Sequence, residues 1–268
     1  MDYENQKLVE YMYSKRQASE LLRHTFDNSR AMQIARDAQC HESMALSVLS
    51  HMTQYKRIPI QAMMGILASE FKQDSLEEIS RHLEKIVSTG IVRYNRDDHR
   101  LIMVYDVAPN IHGLIEQYMY LPPMLVPPLK VHGNRGSGYL TNRNDSLILK
   151  DNHHEGELCL DHINRCNSIP LSVNPNVVKA IRNHWKGIDH MRNGETFKDY
   201  QMRLDAFDKY ERTTYRVIDM LLENGNQFWL THKYEKRGRT FCQGYHLTYQ
   251  GNDWNKACLE LYEKEIIK

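Results

Sequence analysis

The chain has 268 residues, of which 26% are charged, with a formal net charge of +1 and a pI near 7.7. That length allows a substantial core in one or two domains. The balance of charge excludes a global attraction to nucleic acid, so any such binding must come from a local patch. The five cysteines (Cys40, Cys159, Cys166, Cys242, Cys258) are odd in number and widely spaced, which predicts reduced thiols and no disulfide framework. The opening MDYENQKLVE lacks the basic and apolar regions of a signal peptide, and no apolar run reaches membrane-spanning length, so the sequence predicts a soluble intracellular protein with no membrane partner.

From Tyr3 to about Thr53 the chain is free of Pro and Gly and rich in Ala, Leu, Met, Gln and Arg, a helical composition. Ile34, Ala38, Ala45 and Leu49 suggest buried stripes, with Met32, Met44 and Met52 as core filler. Lys56 and Arg57, before Pro59, read as a solvated loop. After Pro59 a helix carries Ala62, Met63, Ile66 and Leu67. A second runs from Ser75 to Ser88, with Ser75, Glu77 and Glu78 as cap and first turn and Gly90 as its stop. Ile91 to Val107 reads as a β-hairpin with a polar tip from Asn95 to Arg100.

Leu121 to Lys130 holds four prolines, which force extended backbone. Lys130, Arg135 and Arg143 then form a candidate basic patch. His153, His154, Cys159, His162 and Cys166 lack the paired spacing of a zinc module; a helix containing the two cysteines is the reading adopted, with no metal. Pro175 starts a helix to about Trp185, and another runs from Thr196 to about Asn224. On the latter, Lys198, Arg203, Lys209, Arg212 and Arg216 alternate with acids and read mostly as a salt-bridged face. A strand from Phe228 to Tyr234 follows, and an amphipathic helix runs from Asp253 through Glu263, before Ile266 and Ile267.

Between these last elements Lys233, Lys236, Arg237 and Arg239 bracket Gly238, with Tyr234, Phe241 and Tyr245 nearby. Glycine permits close backbone approach, arginines grip phosphate and aromatics stack on bases, so the cluster suits a nucleic-acid backbone. A basic solvated turn is the competing reading of the same residues.

Glu235, Arg237, Gly238 and Arg239 resemble the D-x-x-G-R element of the single-subunit RNA polymerases of phages and mitochondria, with Glu235 where the family has Asp. Gln250, Gly251, Asn252, Asp253 and Lys256 resemble its Q-G-N-D-x-x-K run. Leu121 to Lys130 and Gly136 to Tyr139 are similar to the family's V-V-P-P-K and G-G-G-Y segments. Asn164, Val173, Asn174 and Val177 fit the segment leading into its thumb. The resemblance implies a mixed, mainly α fold. A helical N-terminal domain over residues 1–120 would carry the hairpin 91–107, followed by a connector over 121–160, thumb helices over 161–225 and the first palm strands over 226–268. It further implies that Arg237, Gly238, Arg239, Phe241, Gln250, Asn252 and Lys256 face template or RNA–DNA hybrid. Phe241 replaces a family Tyr and lacks its hydroxyl. Lys130, Arg135, Arg143 and Arg96 are further DNA candidates.

The hairpin is similar to the family's intercalating hairpin, but Arg96, Asp97, Asp98 and His99 stand where an apolar wedge would be. The family's two Mg²⁺-binding aspartates, its lysine and its nucleotide-selecting tyrosine lie beyond the residues present here. The chain is therefore most similar to the small, non-catalytic subunit of a split phage enzyme. This implies a large catalytic partner holding the Mg²⁺, no cofactor in this chain, a preference for single-stranded DNA template, a DNA-binding initiation factor, and work in the cytoplasm of an infected bacterial host. In such an assembly the strands around Phe228, Trp229, Leu230, Tyr245 and Leu247 are expected to form an open sheet edge. The alternative is a stand-alone single-stranded nucleic-acid-binding or regulatory protein with a polymerase-derived fold.

Overall fold

A computed structural model describes residues 2–105, 120–150 and 152–264. The chain forms two compact units, residues 15–118 in one and residues 1–14 with 119–268 in the other.

The first unit contains helices α2 (Lys15–Asp27), α3 (Arg30–Asp37), α4 (Glu42–Tyr55), α5 (Ile60–Glu70) and α6 (Leu76–Ser88). Helix α4 lies at its centre: Met44, Ala45, Val48, Leu49 and Met52 are all fully buried. Around it pack Leu22 and Phe26 of α2, Met32 and Ala35 of α3, and Ile79, Leu83 and Ile86 of α6. Unbranched methionines fill the irregular gaps of such a core. Helix α6 starts on a reciprocal capping box between Ser75 and Glu78, which satisfies two otherwise orphaned N–H groups.

The hairpin consists of β2 (Val92–Asn95) and β3 (Arg100–Met103); positions 106 and 107 of its expected span lie outside the described residues. A third strand, β1 (Arg57–Pro59), pairs antiparallel with β3, placing Ile58 opposite Leu101. The segment expected to be a solvated loop is thus a strand. Its Ile58 is buried while Arg57 and Pro59 point to solvent, a pattern three residues long and too short to read as a strand from sequence.

In the second unit α1 (Tyr3–Met12) is tied down by two buried polar side chains. Gln6 Oε1 accepts from the Leu125 N–H at 2.7 Å, and Glu10 accepts from the backbone N–H groups of Leu140 and Thr141 at 2.9 and 2.8 Å. Next come α7 (Leu160–Asn167), β4 (Pro170–Val173), α8 (Pro175–Ala180) and α9 (Phe197–Glu223). Helix α8 stops five residues short of the expected Trp185, at an extended Ile181 whose carbonyl accepts from the Trp254 indole at 2.7 Å. Helix α9 opens on a Thr196–Asp199 capping box and ends at Glu223, with Asn224 as its C-cap and a left-handed Gly225 just beyond.

The remaining elements are β5 (Phe228–Trp229), β6 (His232–Tyr234), β7 (Thr240–Cys242), α10 (Asp253–Cys258) and β8 (Leu259–Leu261). The expected continuous strand from Phe228 to Tyr234 is therefore broken at Leu230 and Thr231. Its first half joins the sheet β5-β4-β8, with Leu171 opposite both Phe228 and Leu261; its second half forms a hairpin with β7. The final helix is also shorter than expected, because the chain extends at Leu259 to pair with β4; Ile266 and Ile267 lie outside the described residues.

The core of this unit is built from Leu171, Val173, Val217, Ile218, Leu221, Phe228, Leu230, Leu247, Trp254 and Cys258. This corrects the expected open edge. Phe228, Trp229, Leu230 and Leu247 are all buried within this chain, and of the five only Tyr245 is exposed. Helix α9 and residues 124–126 supply the cover that sequence pattern alone does not reveal. Among the described residues no helix is long and apolar enough to cross a membrane.

Candidate nucleic-acid interface

The basic cluster lies at the tip of the β6–β7 hairpin. The Gly238 N–H donates to the Glu235 carbonyl at 2.9 Å and the Glu235 N–H to the Arg239 carbonyl at 2.8 Å. This is the bonding of a three-residue hairpin loop closed by a glycine, and Gly238 adopts φ +82°. A Cβ at Gly238 would meet nothing within 4 Å, so its backbone angle, not crowding, requires glycine.

The turn organises its own charges. Glu235 accepts from Arg237 Nε at 2.9 Å and from Arg239 Nε at 2.5 Å, and each guanidinium adds a second bond through Nη2. Bonds first from Arg239 and then from Arg237 hold the Glu235 carboxyl at about 2, well below the usual range and against the cost of its desolvation. Arg239 also lies over the Phe241 ring, 5.7 Å from its centroid. Even so, 72% of the Arg237 side chain and 59% of the Arg239 side chain face solvent. Lys233 is different: it is buried, with its ammonium 3.1 Å from Asp145.

The Q-G-N-D run is engaged inside the unit. Gln250 accepts from the Cys242 N–H at 2.8 Å and donates to the Thr240 carbonyl at 2.9 Å, so its amide pairs with β7 as a strand would. Asn252 caps α10 by accepting from the Asn255 N–H and donates to Asn183 Oδ1. Lys256 is half exposed beside Asp253. Structure therefore gathers Arg237, Gly238, Arg239 and Phe241 on one hairpin to which Gln250 is bonded, while Asn252 caps α10 and Lys256 sits on it.

Lys130, Arg135 and Arg143 line a second feature, a cleft of about 360 Å³ in the Gly-rich segment after the prolines. Gly138, at φ +83°, is required there by packing as well as by angle: a Cβ would come within 3.0 Å of Thr231 Cγ2 and 3.2 Å of Pro128 Cβ. Sequence reading missed His132, which lines the same cleft. Arg96 belongs to the other unit, at the exposed β2–β3 tip. At that tip Asp98 accepts from Arg57 Nη2 at 2.9 Å, so one of its two acids is already paired.

The histidine and cysteine cluster has no metal geometry: among the described residues no group of three or more His, Cys, Asp or Glu side chains converges. His153 lies 2.6 Å from Glu155 and 2.9 Å from Ser146, and His162 lies 3.0 Å from Thr240. A Cys242–His232–Asn167 line runs from the base of the hairpin to α7, with distances of 3.5 and 2.8 Å. Burial pushes the Cys242 thiol up to about 12 and holds His232 down at about 4, so both are neutral and the set does not form an activated nucleophile.

No protein-family model matches the chain. It is similar to a probable DNA-directed RNA polymerase of Gelasinospora sp. (strain G114), with 26% identity over 159 residues, taking in 54% of this chain. The chain spans about 17% of the length of that relative. This distant and partial similarity to an RNA polymerase accompanies a mixed, helix-rich fold with small antiparallel sheets.

Proposed function

We propose that the chain is a non-catalytic subunit of a DNA-directed RNA polymerase and that its β6–β7 turn holds the backbone of the template strand or of the RNA–DNA hybrid. The observation that carries this is the pair of arginines presented to solvent on either side of a left-handed glycine, at a tip where no side chain crowds the backbone. Arginine forks suit phosphate, and an exposed tip suits a polymer that passes over it. Similarity to a probable DNA-directed RNA polymerase supports the same reading.

Nucleotidyl transfer would need carboxylates holding Mg²⁺, and these are assigned to a larger partner chain. The outer edge of β8 is the place proposed for that partner. Tyr262 N–H donates to the Pro170 carbonyl and Asn174 N–H to the Cys258 carbonyl, so alternate groups of β8 face β4 and Leu261 turns its N–H and C=O outward. Among the described residues no strand pairs with this edge, and Leu261 is 59% exposed. A strand added there would lie across the apolar cleft lined by Ile169, Leu171, Leu230 and Leu259.

The burial of Phe228, Trp229, Leu230 and Leu247 inside the chain favours a second reading, a self-contained single-stranded nucleic-acid-binding or regulatory protein. Purification of the chain from its native source separates the two. A co-purifying chain, with Mg²⁺-dependent RNA synthesis on a primed single-stranded template only when both are present, is expected for the subunit. Nucleic-acid binding with no partner chain would leave the stand-alone reading.

A further inference from the structure

A second group of exposed positive charge on the second unit lies away from the hairpin turn. Lys130, His132, Arg135 and Arg143 all line the cleft in the segment 129–143, all four are exposed, and no carboxylate lines it. Lys130 makes no ion pair among the described residues. Arg143 is positioned by one bond from its Nε to the Leu140 carbonyl at 2.9 Å. Among the described residues the one ion-pair partner of Arg135 is Glu155, exposed and distant at 4.0 Å. At the β6–β7 turn, by contrast, both arginines already hydrogen-bond to the single carboxylate of Glu235.

The walls of the cleft are stiff. Leu129 N–H donates to the Gly138 carbonyl, Val131 N–H to Asn164 Oδ1, and Gly136 N–H to the Asp145 carbonyl, at 2.7 to 2.8 Å. Tyr139 and Val131, which also line it, are buried. A fixed backbone carrying three permanent cations on its rim is pre-organised for a polyanion, since ordering costs fall only on the side-chain ends. The space of about 360 Å³ admits a phosphate with its sugar and exceeds what a lone inorganic anion needs.

We propose that this cleft is a binding site for a phosphate group carried on a nucleotide, gripped by Lys130, Arg135 and Arg143 with His132 at its rim. It is a site separate from the β6–β7 turn, and it rests on the nucleic-acid reading only for what carries the phosphate: a strand backbone or a free nucleoside triphosphate.

The test uses the full chain with Lys130→Gln, Arg143→Gln and the pair combined, beside an Arg237→Ala/Arg239→Ala double variant. Lys130 is exposed and makes no ion pair among the described residues, so its replacement leaves folding intact, and unchanged melting curves verify this. Binding of fluorescein-labelled oligodeoxythymidine is read by anisotropy across a salt series, and ATP and inorganic tripolyphosphate serve as competitors. Each lost contact is expected to weaken binding about tenfold, by the usual strength of a charge-assisted bond, and to reduce the log–log salt slope by about 0.7.

Loss of oligonucleotide binding in the cleft variants assigns the phosphate to a strand. Unchanged oligonucleotide binding with weakened ATP binding assigns it to a free nucleotide. If Lys130→Gln and the combined variant leave affinity for all three probes unchanged, the cleft is not a phosphate site, whatever the Arg237→Ala/Arg239→Ala variant does. Loss of binding in the cleft variants alone overturns the proposed role of the turn and leaves the cleft standing.

Discussion

Arg239 Nε and Glu235 Oε1 are 2.5 Å apart, and the same carboxylate oxygen also accepts from Arg237 Nε at 2.9 Å, so both arginines of the exposed turn share one acid, which offsets one of their two charges. Phosphate must compete with that carboxylate. Glu235→Gln is therefore expected to strengthen binding of single-stranded nucleic acid and to steepen its salt dependence by up to about 0.7 for each arginine released. Anisotropy titrations at several salt concentrations read both. Identical slopes in the wild type and the variant would show that Glu235 does not hold the arginines back.

Gly138 and Gly238, both left-handed, should differ when replaced by alanine. Gly238 faces open space, so Gly238→Ala costs only the backbone strain, about 1–2 kcal/mol. Gly138 has the same kind of φ and is also packed against Thr231, Asn167 and Pro128, which adds overpacking and raises the expected loss to about 3 kcal/mol. Urea denaturation of the two variants gives the comparison; equal losses would contradict it.

Stability should fall in mild acid because of His232 and His246. Both are buried, and desolvation lowers each from its ordinary value of 6.5 to about 4; neither ring nitrogen of His246 has a hydrogen-bond partner among the described residues. Between these pH values the unfolded chain binds more protons than the folded one. The stability contribution is thus complete above about pH 6.5 and is lost as pH falls toward 4, by on the order of 3 kcal/mol for each histidine. Denaturant midpoints from pH 7 to pH 4 measure the slope, and His246→Phe should flatten it. A slope unchanged by that substitution would assign the acid sensitivity elsewhere.

Glu10 is 1% exposed and accepts from two backbone N–H groups, those of Leu140 and Thr141, and from the Thr141 hydroxyl at 2.6 Å. Glu10→Ala strands these donors in a buried site, an expected loss of about 3 kcal/mol or more. Glu10→Gln retains an acceptor and should cost less. Thermal melts of the two variants rank them, and equal melting temperatures would mean that water replaces the carboxylate.

At the β8 edge, Leu261→Asp should leave the isolated chain folded, since the side chain is mostly exposed, while abolishing co-purification with a partner chain. Retained association would place the partner on another surface.

What the sequence by itself determined is what neighbouring residues decide. The Ser75 cap of α6, the Thr196 start and Gly225 stop of α9, the β2–β3 hairpin and the glycine at the Arg237–Arg239 turn each depend on residues a few positions apart, and all could be read directly. The Glu235 pairing was also within reach, because its arginines lie two and four positions away across a tight turn. Only the tertiary structure decided which strands meet and which polar groups are already satisfied. Glu10 finds Leu140 across 130 positions, Arg57 finds Asp98 across 41, and β4 lies between β5 and β8, burying Phe228 where an open edge was expected. Such pairings follow from three-dimensional proximity and from the need to satisfy every buried donor, and neither is encoded in local periodicity.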